Sequence, residues 1–426
     1  MLNVLKPLIV SQYTPSPQEM NHLYFYYILG VINFRYDTRR QTFTSSKTIT
    51  MLKVMVHLFV PNAVLLWITI IGQTGIWLTV PSVHITVFFL RITFTVLTMN
   101  VNILLNYYFT GKKQMALLNE CQAHFRAVKF FNEAGTKPSF RGSQIALVIF
   151  LLHYINYELN QYTYVVLYNE KWPEFTFYVM VYFIEMITVM NVLYYDSVID
   201  VMRESVRMDC MQLTKCMEQN LKYGSGSLGD SYWWRTIEHF YNRVLSTHRQ
   251  RKDYCRAFRL QLATSALTTF IVSFSIFYTN LNSILSYKHE GLLEKYKRVT
   301  ESLGFFSQLG VVLIICHHAT KLNCEQRCLA RLIIEAQSKL TKRSSNMVRL
   351  LQHNLRFPFK MVIVMFYIHF QKRGDMYNSR IFILQHEMKI SPYDLFEIDM
   401  EYFFGMVAAI ITYLVVLLQF RDIEFG

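Results

Sequence analysis

The charged side chains of Arg91, Glu158 and Glu185 lie well inside long apolar stretches of this 426-residue chain. Ionisable groups are costly in an apolar environment, and where they occur they commonly pair with one another or line a ligand or ion pathway. The three residues could therefore form a buried ion pair, or a polar patch on the wall of a water-filled cavity. The sequence leaves both alternatives open.

Polar and aromatic side chains lie in the stretches that hold Glu158 and Glu185 and in a further apolar stretch, 262–286. Aromatic walls with a few convergent polar groups are typical of a small-molecule site. The candidate ligand-binding residues are Arg91, Asn156, Glu158, Gln161, Tyr178, Tyr182, Glu185, Tyr278 and Asn280. Tyrosines also form interfacial belts in membrane proteins, and for each single tyrosine that explanation is the better one.

Catalytic and metal-binding patterns are weak in this chain. Cys324 and Cys328 are separated by three residues and lie near His317 and His318, but one short pair of thiols is poor evidence for zinc. No phosphate-binding loop, nucleophile elbow or pair of catalytic carboxylates stands out. We therefore expect no enzyme activity, no cofactor and no bound metal.

The elements that must position the candidate residues are membrane spans. Hydrophobic residues make up 52% of the chain and charged residues 17%, against about 25% charged in ordinary globular proteins. A bilayer core about 30 Å thick requires about 20 apolar residues in a helix. Seven runs meet this requirement and predict an all-α polytopic membrane protein: 54–74, 84–108, 143–166, 175–195, 262–286, 303–319 and 401–420. A shorter run at 22–34 fits a membrane-dipping or interfacial helix.

The distribution of Lys and Arg predicts the orientation, because cytoplasmic loops carry an excess of both. With the N-terminus inside, 36 of the 43 lie in inner segments and 6 in outer ones. The N-terminus is therefore expected inside and the C-terminus outside, opposite to G-protein-coupled receptors. The same distribution attributes the net charge of +14 to cytoplasmic loops, so we expect no nucleic-acid partner.

The last apolar run ends in a distinctive pattern: Thr412-Tyr413, five aliphatic residues, then Gln419-Phe420. This pattern, near the C-terminus of a seven-span chain, resembles the signature of insect gustatory receptors. The resemblance implies a tetrameric ligand-gated cation channel with the last helix of each subunit lining a central pore, and a tastant pocket in the outer half of the subunit.

Matched residue by residue, the resemblance makes Gln419 and Phe420 the gate. Phe420 would form a hydrophobic constriction that excludes water, and Gln419 a polar neighbour exposed to ions on opening. Thr412 and Tyr413 would fix the helix against its neighbours. The simpler alternative is that Gln419 merely reaches the outer membrane interface.

The expected organisation follows from the spans and the resemblance. Residues 1–53 form a cytoplasmic N-terminus with the interfacial helix, 54–195 spans one to four, 196–261 a cytoplasmic loop with helical extensions, 262–319 spans five and six, 320–400 a cytoplasmic anchor region, and 401–426 the pore-lining span with a short outer tail. Helical flanks are expected at 196–222 and 232–259, and one inner helix at 372–396. The stretch 345–371 is a possible insertion or a gene-model artefact.

The expected function is a gustatory chemoreceptor that acts as a non-selective cation channel in the plasma membrane of sensory neuron dendrites. Its expected partners are a small-molecule tastant, permeating cations, the lipid bilayer and other gustatory receptor subunits in a homotetramer or heterotetramer. An odourant-receptor-type channel is the main alternative, and a non-channel seven-span receptor or a secondary transporter is less favoured. Neither an internal repeat nor a pair of broken spans supports a transporter.

Overall fold

The structure is a computed structural model, and it describes residues 23, 26–37, 40, 42–45, 47–73, 82–131, 148, 151–152, 154–155, 172–223, 227–286, 292–354 and 389–425. The described residues form seven long helices: α1 Lys47–Gln73, α2 Ser82–Leu104, α3 Gly111–Phe131, α4 Trp172–Tyr223, α5 Ser227–Ser286, α6 Leu292–Asn354 and α7 Met400–Phe425.

Six of these helices, all except α3, contain a stretch that is long and apolar enough to cross a membrane. They correspond to the first, second, fourth, fifth, sixth and seventh predicted spans. The third predicted span, 143–166, lies largely outside the described residues, although five of its residues are helical. The chain is therefore a helical, multi-pass membrane protein.

Three helices are much longer than a bilayer requires. α4, α5 and α6 have 52, 60 and 63 residues, whereas about 20 residues cross the apolar core. The helical flanks predicted at 196–222 and 232–259 are confirmed, since both lie within continuous helices. We call α3 together with residues 196–223, 227–261 and 320–354 the extension bundle.

Aromatic side chains join the extension bundle to the spans. Phe258 of α5 lies 5.8 Å from Tyr194, 5.2 Å from Tyr195 and 4.8 Å from Tyr254, measured between ring centroids. Tyr26, from the run predicted as an interfacial helix, packs at 5.7 Å on Tyr194 and lies within the buried core. Large rings buried together in this way dominate the packing energy of a core.

A short antiparallel hairpin follows Tyr26 and was missed by the all-α prediction. Strand β1 is Phe34–Asp37 and strand β2 is Thr42–Ser45. Phe34 and Phe43 pack against each other on its buried face, with ring centroids 5.8 Å apart. The backbone N–H of Phe43 donates to Asn119 Oδ1 at 2.8 Å, which fastens the hairpin to α3. Strands of four residues are too short for their alternating pattern to stand out in a sequence.

The helix predicted at 372–396 is wrong over its last eight residues, 389–396, which are the part that the structure describes. Ser391 is extended, and Pro392–Asp394 form a single 3₁₀ turn. Proline lacks a backbone N–H and fixes its own φ, so it disrupts the interior of an α-helix. The helix α7 begins afresh at Met400, where Asp399 Oδ1 accepts a hydrogen bond from the backbone N–H of Tyr402 at 2.9 Å.

Gly30 makes a close approach that requires glycine. Its φ is +77°, and a Cβ at this position would lie 2.2 Å from His57 Cε1. The Tyr107 hydroxyl donates to the Gly30 carbonyl at 2.6 Å, and His57 Nε2 lies 2.9 Å from the Leu29 carbonyl oxygen. The turn at Gly30 thus attaches the N-terminal segment to α1 and to the π-helical turn Leu105–Phe109 that follows α2.

Replacing Gly30 with alanine is expected to destabilise the protein, because both the positive φ and the contact with His57 oppose a side chain. A residue other than glycine in this region of backbone conformation costs about 1–3 kcal/mol. Thermal unfolding of the purified protein measures the effect. Gly310→Ala is the matched control, because its Cβ would meet nothing within 4 Å and alanine favours a helix. Equal melting temperatures for the two variants would contradict this account.

Candidate functional site

A buried ion pair connects α2 with α4 at the predicted outer site. Arg91 Nε lies 2.6 Å from Glu185 Oε1, and Arg91 Nη2 lies 2.7 Å from Glu185 Oε2. The Glu185 residue is 3% exposed. Two parallel hydrogen bonds between a guanidinium and a carboxylate form the strong bidentate arrangement. Of the two alternatives left open by the sequence, the structure supports the ion pair for Arg91 and Glu185.

Hydroxyl groups connect α2 to α5 on the C-terminal side of the ion pair along α2. The Thr98 and Thr268 hydroxyls are 2.5 Å apart, and both residues are buried. The Thr98 hydroxyl also lies 3.4 Å from the Thr264 carbonyl oxygen, and the Thr268 hydroxyl lies 3.4 Å from the Phe94 carbonyl oxygen. α2 is therefore held by a charge pair on its α4 side and by hydroxyl contacts on its α5 side.

An aromatic column on α5 connects the candidate ligand residue Tyr278 with the signature pair on α7. Tyr278 is buried and stacks with Phe274 at a centroid distance of 6.5 Å and an interplanar angle of 19°. Phe274 stacks in turn with Phe270 at 6.5 Å and 6°. Phe270 meets the ring of Tyr413 edge to face at 6.3 Å. The spacing of four residues places these α5 rings on one helix face.

The remaining predicted ligand-binding residues cannot be placed to the same detail. Tyr178 and Tyr182 lie on α4 and Asn280 on α5, but their side chains lie outside the described part. Asn156, Glu158 and Gln161 lie outside the described residues altogether. A grouping of these six side chains with Arg91 and Glu185 stays a prediction.

The helix α7 buries one narrow stripe against its own subunit. Met406, Ile410 and Leu414 are 6%, 2% and 2% exposed, and their spacing of four residues defines one face. By contrast, Ile411 and Val415 are 55% and 50% exposed. Most of the apolar surface of this helix therefore faces away from the described part of the subunit.

Three of the four predicted gate and packing residues, Thr412, Tyr413 and Gln419, are exposed. Gln419 is exposed and follows Ile411 and Val415 at the same spacing. Phe420 lies on the same helix, with its side chain outside the described part. Thr412 donates its hydroxyl to the Ala408 carbonyl within α7 at 2.9 Å. Tyr413 is 58% exposed despite its contact with the aromatic column.

Sequence reasoning missed a cluster of buried amides at the C-terminal end of α2. The helix continues there into the π-helical turn Leu105–Phe109, a distortion that is frequent at functional sites. Asn106 accepts hydrogen bonds from Gln114 at 2.8 Å and Gln261 at 3.3 Å, and donates to Asn191 Oδ1 at 3.2 Å. The cluster joins α2, α3, α4 and α5. An asparagine inside an apolar run was the signal that could have revealed it.

The residues considered for zinc have other surroundings. Cys324 and Cys328 are free and exposed, and His318 Nδ1 lies 2.8 Å from Asp196 Oδ1. Within the described ranges, His, Cys, Asp and Glu form no group of three or more that could hold a metal.

In the extension bundle, burial raises the pKa of the Cys121 thiol to about 12, so this thiol stays protonated and unreactive at neutral pH.

The fold and these contacts define a multi-pass helical membrane protein whose spans are joined by an ion pair, hydroxyl contacts and an aromatic column. The sequence model of the family described as 7tm chemosensory receptor matches residues 22–368 and 380–424, and this chain belongs to that family. The resemblance stated from the C-terminal pattern is confirmed at the level of this family. Among curated proteins, a search finds no match.

Solved structures of an insect olfactory receptor share the fold. The insect olfactory receptor OR5 from Machilis hrabei superposes with a TM-score of 0.57 at 12% sequence identity, over 94% of this chain and 97% of that chain. The same receptor in complex with eugenol gives a TM-score of 0.55 at 11% identity, over the same shares of the two chains, 94% and 97%. At these identities the likeness shows the fold.

Loss of one partner of the Arg91–Glu185 pair is expected to destabilise the protein strongly. Breaking a buried pair costs about 3–5 kcal/mol, whereas replacing both partners with apolar residues is often close to neutral. Arg91→Met should therefore lower the temperature at which purified protein loses its monodisperse elution, and Arg91→Met/Glu185→Met should restore much of the loss.

The control for this cycle is Lys339→Met, which breaks an exposed pair with Glu335 at 2.7 Å. Exposed pairs contribute about 0–1 kcal/mol, so this variant should behave like the unmodified protein. A double variant less stable than either single one would contradict the assignment of the pair as a joint between α2 and α4.

Proposed function

We propose that this chain is a subunit of a ligand-gated cation channel of the gustatory type, opened by a small-molecule tastant. The observation that carries the proposal is the position of the C-terminal pattern. Gln419 ends a row of exposed residues on α7 that also includes Ile411 and Val415, while the opposite stripe packs on the subunit. A polar residue in a row that is otherwise apolar and exposed suits a helix that meets other subunits around a water-filled pore, because polar residues within spans rarely face lipid.

In this proposal Phe420 forms the narrowest ring of the closed pore, and Gln419 meets the ions when the ring widens. The channel is a homotetramer or a heterotetramer with other gustatory receptor subunits in the plasma membrane of sensory neuron dendrites. Its N-terminus, the extension bundle and residues 320–400 face the cytoplasm, and the tail after residue 420 faces outward. The span at 143–166 completes seven crossings.

Tastant binding is assigned to the outer half of the bundle, around Arg91, Glu185 and Tyr278. The aromatic column supports a route from this region to α7, because Tyr278, Phe274 and Phe270 lead to Tyr413 through successive ring contacts. A ligand opens the channel to the extent that it binds the open state more tightly than the closed state. The aromatic walls favour a bitter or otherwise apolar ligand.

An odourant-gated channel is the second candidate. It is favoured by the likeness of the fold to an insect olfactory receptor, one structure of which is a complex with eugenol. The Thr-Tyr and Gln-Phe pairs at 412–420 favour the gustatory type. Calcium imaging of expressing cells with matched panels of bitter compounds and volatile odourants, eugenol among them, separates the two candidates.

The proposed orientation predicts that an epitope placed after Gly426 is labelled on intact cells. Seven crossings from an inner N-terminus place the C-terminus outside, following the excess of Lys and Arg in the inner segments. An epitope placed before Met1 instead is the control and should be labelled only after permeabilisation. Labelling of the C-terminal epitope only in permeabilised cells, with surface delivery shown by biotinylation, would contradict seven crossings.

Phe420→Ala is expected to raise the ligand-free cation current, because removing the ring widens a constriction that excludes water. Whole-cell recording, with current normalised to surface protein, measures the change. Phe404→Ala is the matched control: Phe404 is 63% exposed and lies near the opposite end of α7. Unchanged leak current in Phe420→Ala at normal surface expression would argue against the gate assignment.

A further inference from the structure

A cavity of about 760 Å³ lies between α5 and the segment that precedes α7. Its lining includes five basic side chains: Arg251, Lys252, Arg256, Arg259 and Lys389. One carboxylate, Glu397, also lines it and contacts Lys389. The cavity therefore carries an excess of four positive charges over the lining residues that the structure describes.

Arg251 is the buried member of this basic lining. The residue is 2% exposed, and its Nη2 donates to Asn323 Oδ1 of α6 at 2.5 Å. Its Nε and Nη1 are buried and have no hydrogen-bond partner among the described residues. A guanidinium stays charged at physiological pH, and such a charge is destabilising when it is buried without an anion. An anion in the cavity would offset part of this buried charge through space, without a bond to the buried nitrogens.

The opposite wall is formed by a strained segment. Tyr393 has a φ of 57°, a conformation that is unfavourable for residues other than glycine and that often occurs at binding sites. The guanidinium carbon of Arg259 lies 4.8 Å from the centre of the Tyr393 ring, a cation–π distance. This contact leaves the edges of the Arg259 guanidinium available for an anion.

The cavity lies at the level expected for phospholipid headgroups. Arg259 is three residues before the predicted span at 262–286, and the orientation under the proposed function puts this end of the span at the inner leaflet. Clusters of Lys and Arg next to the cytoplasmic end of a span attract anionic lipids. Guanidinium groups bind phosphate through two parallel hydrogen bonds.

We propose that this cavity binds a multiply phosphorylated anion: the headgroup of a phosphoinositide lipid or a soluble inositol polyphosphate. Several phosphates match the excess of positive charge, and a cavity of about 760 Å³ is of the size that holds small-molecule ligands. The anion bridges α5 to residues 389–397 and so stabilises the docked position of the segment that leads into α7. Only the inner-leaflet location rests on the proposed function.

Direct binding to the purified full-length protein tests the site without any current. The probes are inositol hexakisphosphate in solution, and phosphatidylcholine vesicles with and without phosphatidylinositol 4,5-bisphosphate. We expect saturable binding that weakens about tenfold or more, about 1.4 kcal/mol, in Arg256→Gln/Arg259→Gln. Arg256 is 73% exposed in its side chain and Arg259 is exposed, so this variant should fold. Arg251→Gln should weaken binding too, with monodisperse elution as its folding check.

Arg249→Gln is the matched control, because Arg249 is exposed on the same helix and is absent from the cavity lining. Cys255 lines the cavity, so its alkylation by a maleimide, followed by mass spectrometry, should slow when inositol hexakisphosphate is bound. Binding of vesicles alone assigns a lipid, and binding of both probes shows that the phosphorylated headgroup suffices.

Two results would overturn the proposal. The first is no saturable binding of either probe, or an equal loss in Arg249→Gln. The second is unchanged probe binding in Arg256→Gln/Arg259→Gln together with a changed oligomer size. That result would mean that these basic residues contact an acidic surface of another copy of the chain. A failed channel proposal, with no leak current in Phe420→Ala, would leave these binding results unaffected.

Discussion

Buried carboxylates along α4 are the constraint on which the rest of the bundle depends. Glu185 pairs with Arg91 of α2, Asp196 with His318 of α6, and Asp209 with His124 of α3. A carboxylate withdrawn from water without a partner is strongly destabilising. Each pair therefore fixes the rotation and the axial position of one neighbouring helix relative to α4. The positions of α2, α3 and α6 are all set by their pairs with α4.

The last helix is held by a different kind of contact. Met406, Ile410 and Leu414 form an apolar stripe, and Asp399 caps the first turn. Apolar contacts are non-directional, whereas the paired charges on α4 require defined atoms at defined distances. The position of α4 is therefore fixed more tightly than that of α7. This difference suits a protein in which one helix moves relative to the others. The cavity between α5 and residues 389–397 lies where the other helices meet the base of α7.

Several elements followed from the sequence because their signals are local. A run of about 20 apolar residues requires a span wherever it lies, and six described helices satisfy that rule. A pair that includes Arg91 and Glu185 was one of two alternatives that the sequence left open, because charges within apolar runs commonly pair or line a pathway. The hairpin at 34–45 was missed because each strand has four residues, and the helix expected at 372–396 ignored Pro392 in its last turn. The amide cluster around Asn106 joins four helices, and no local pattern reveals such a meeting point.

The sequence by itself determined that this is a helical multi-pass membrane protein of the chemosensory receptor family, because span length, charge and the C-terminal pattern are properties of contiguous residues. Tertiary structure decided which helices meet. The bond between Arg91 and Glu185 joins residues 94 positions apart, and the contact between Phe270 and Tyr413 joins α5 to α7. The basic cavity likewise combines residues 251–259 with 389–397. Such contacts depend on the rotation of each helix about its own axis. That rotation is selected by buried pairs across the whole bundle, and the sequence of a single helix does not specify it.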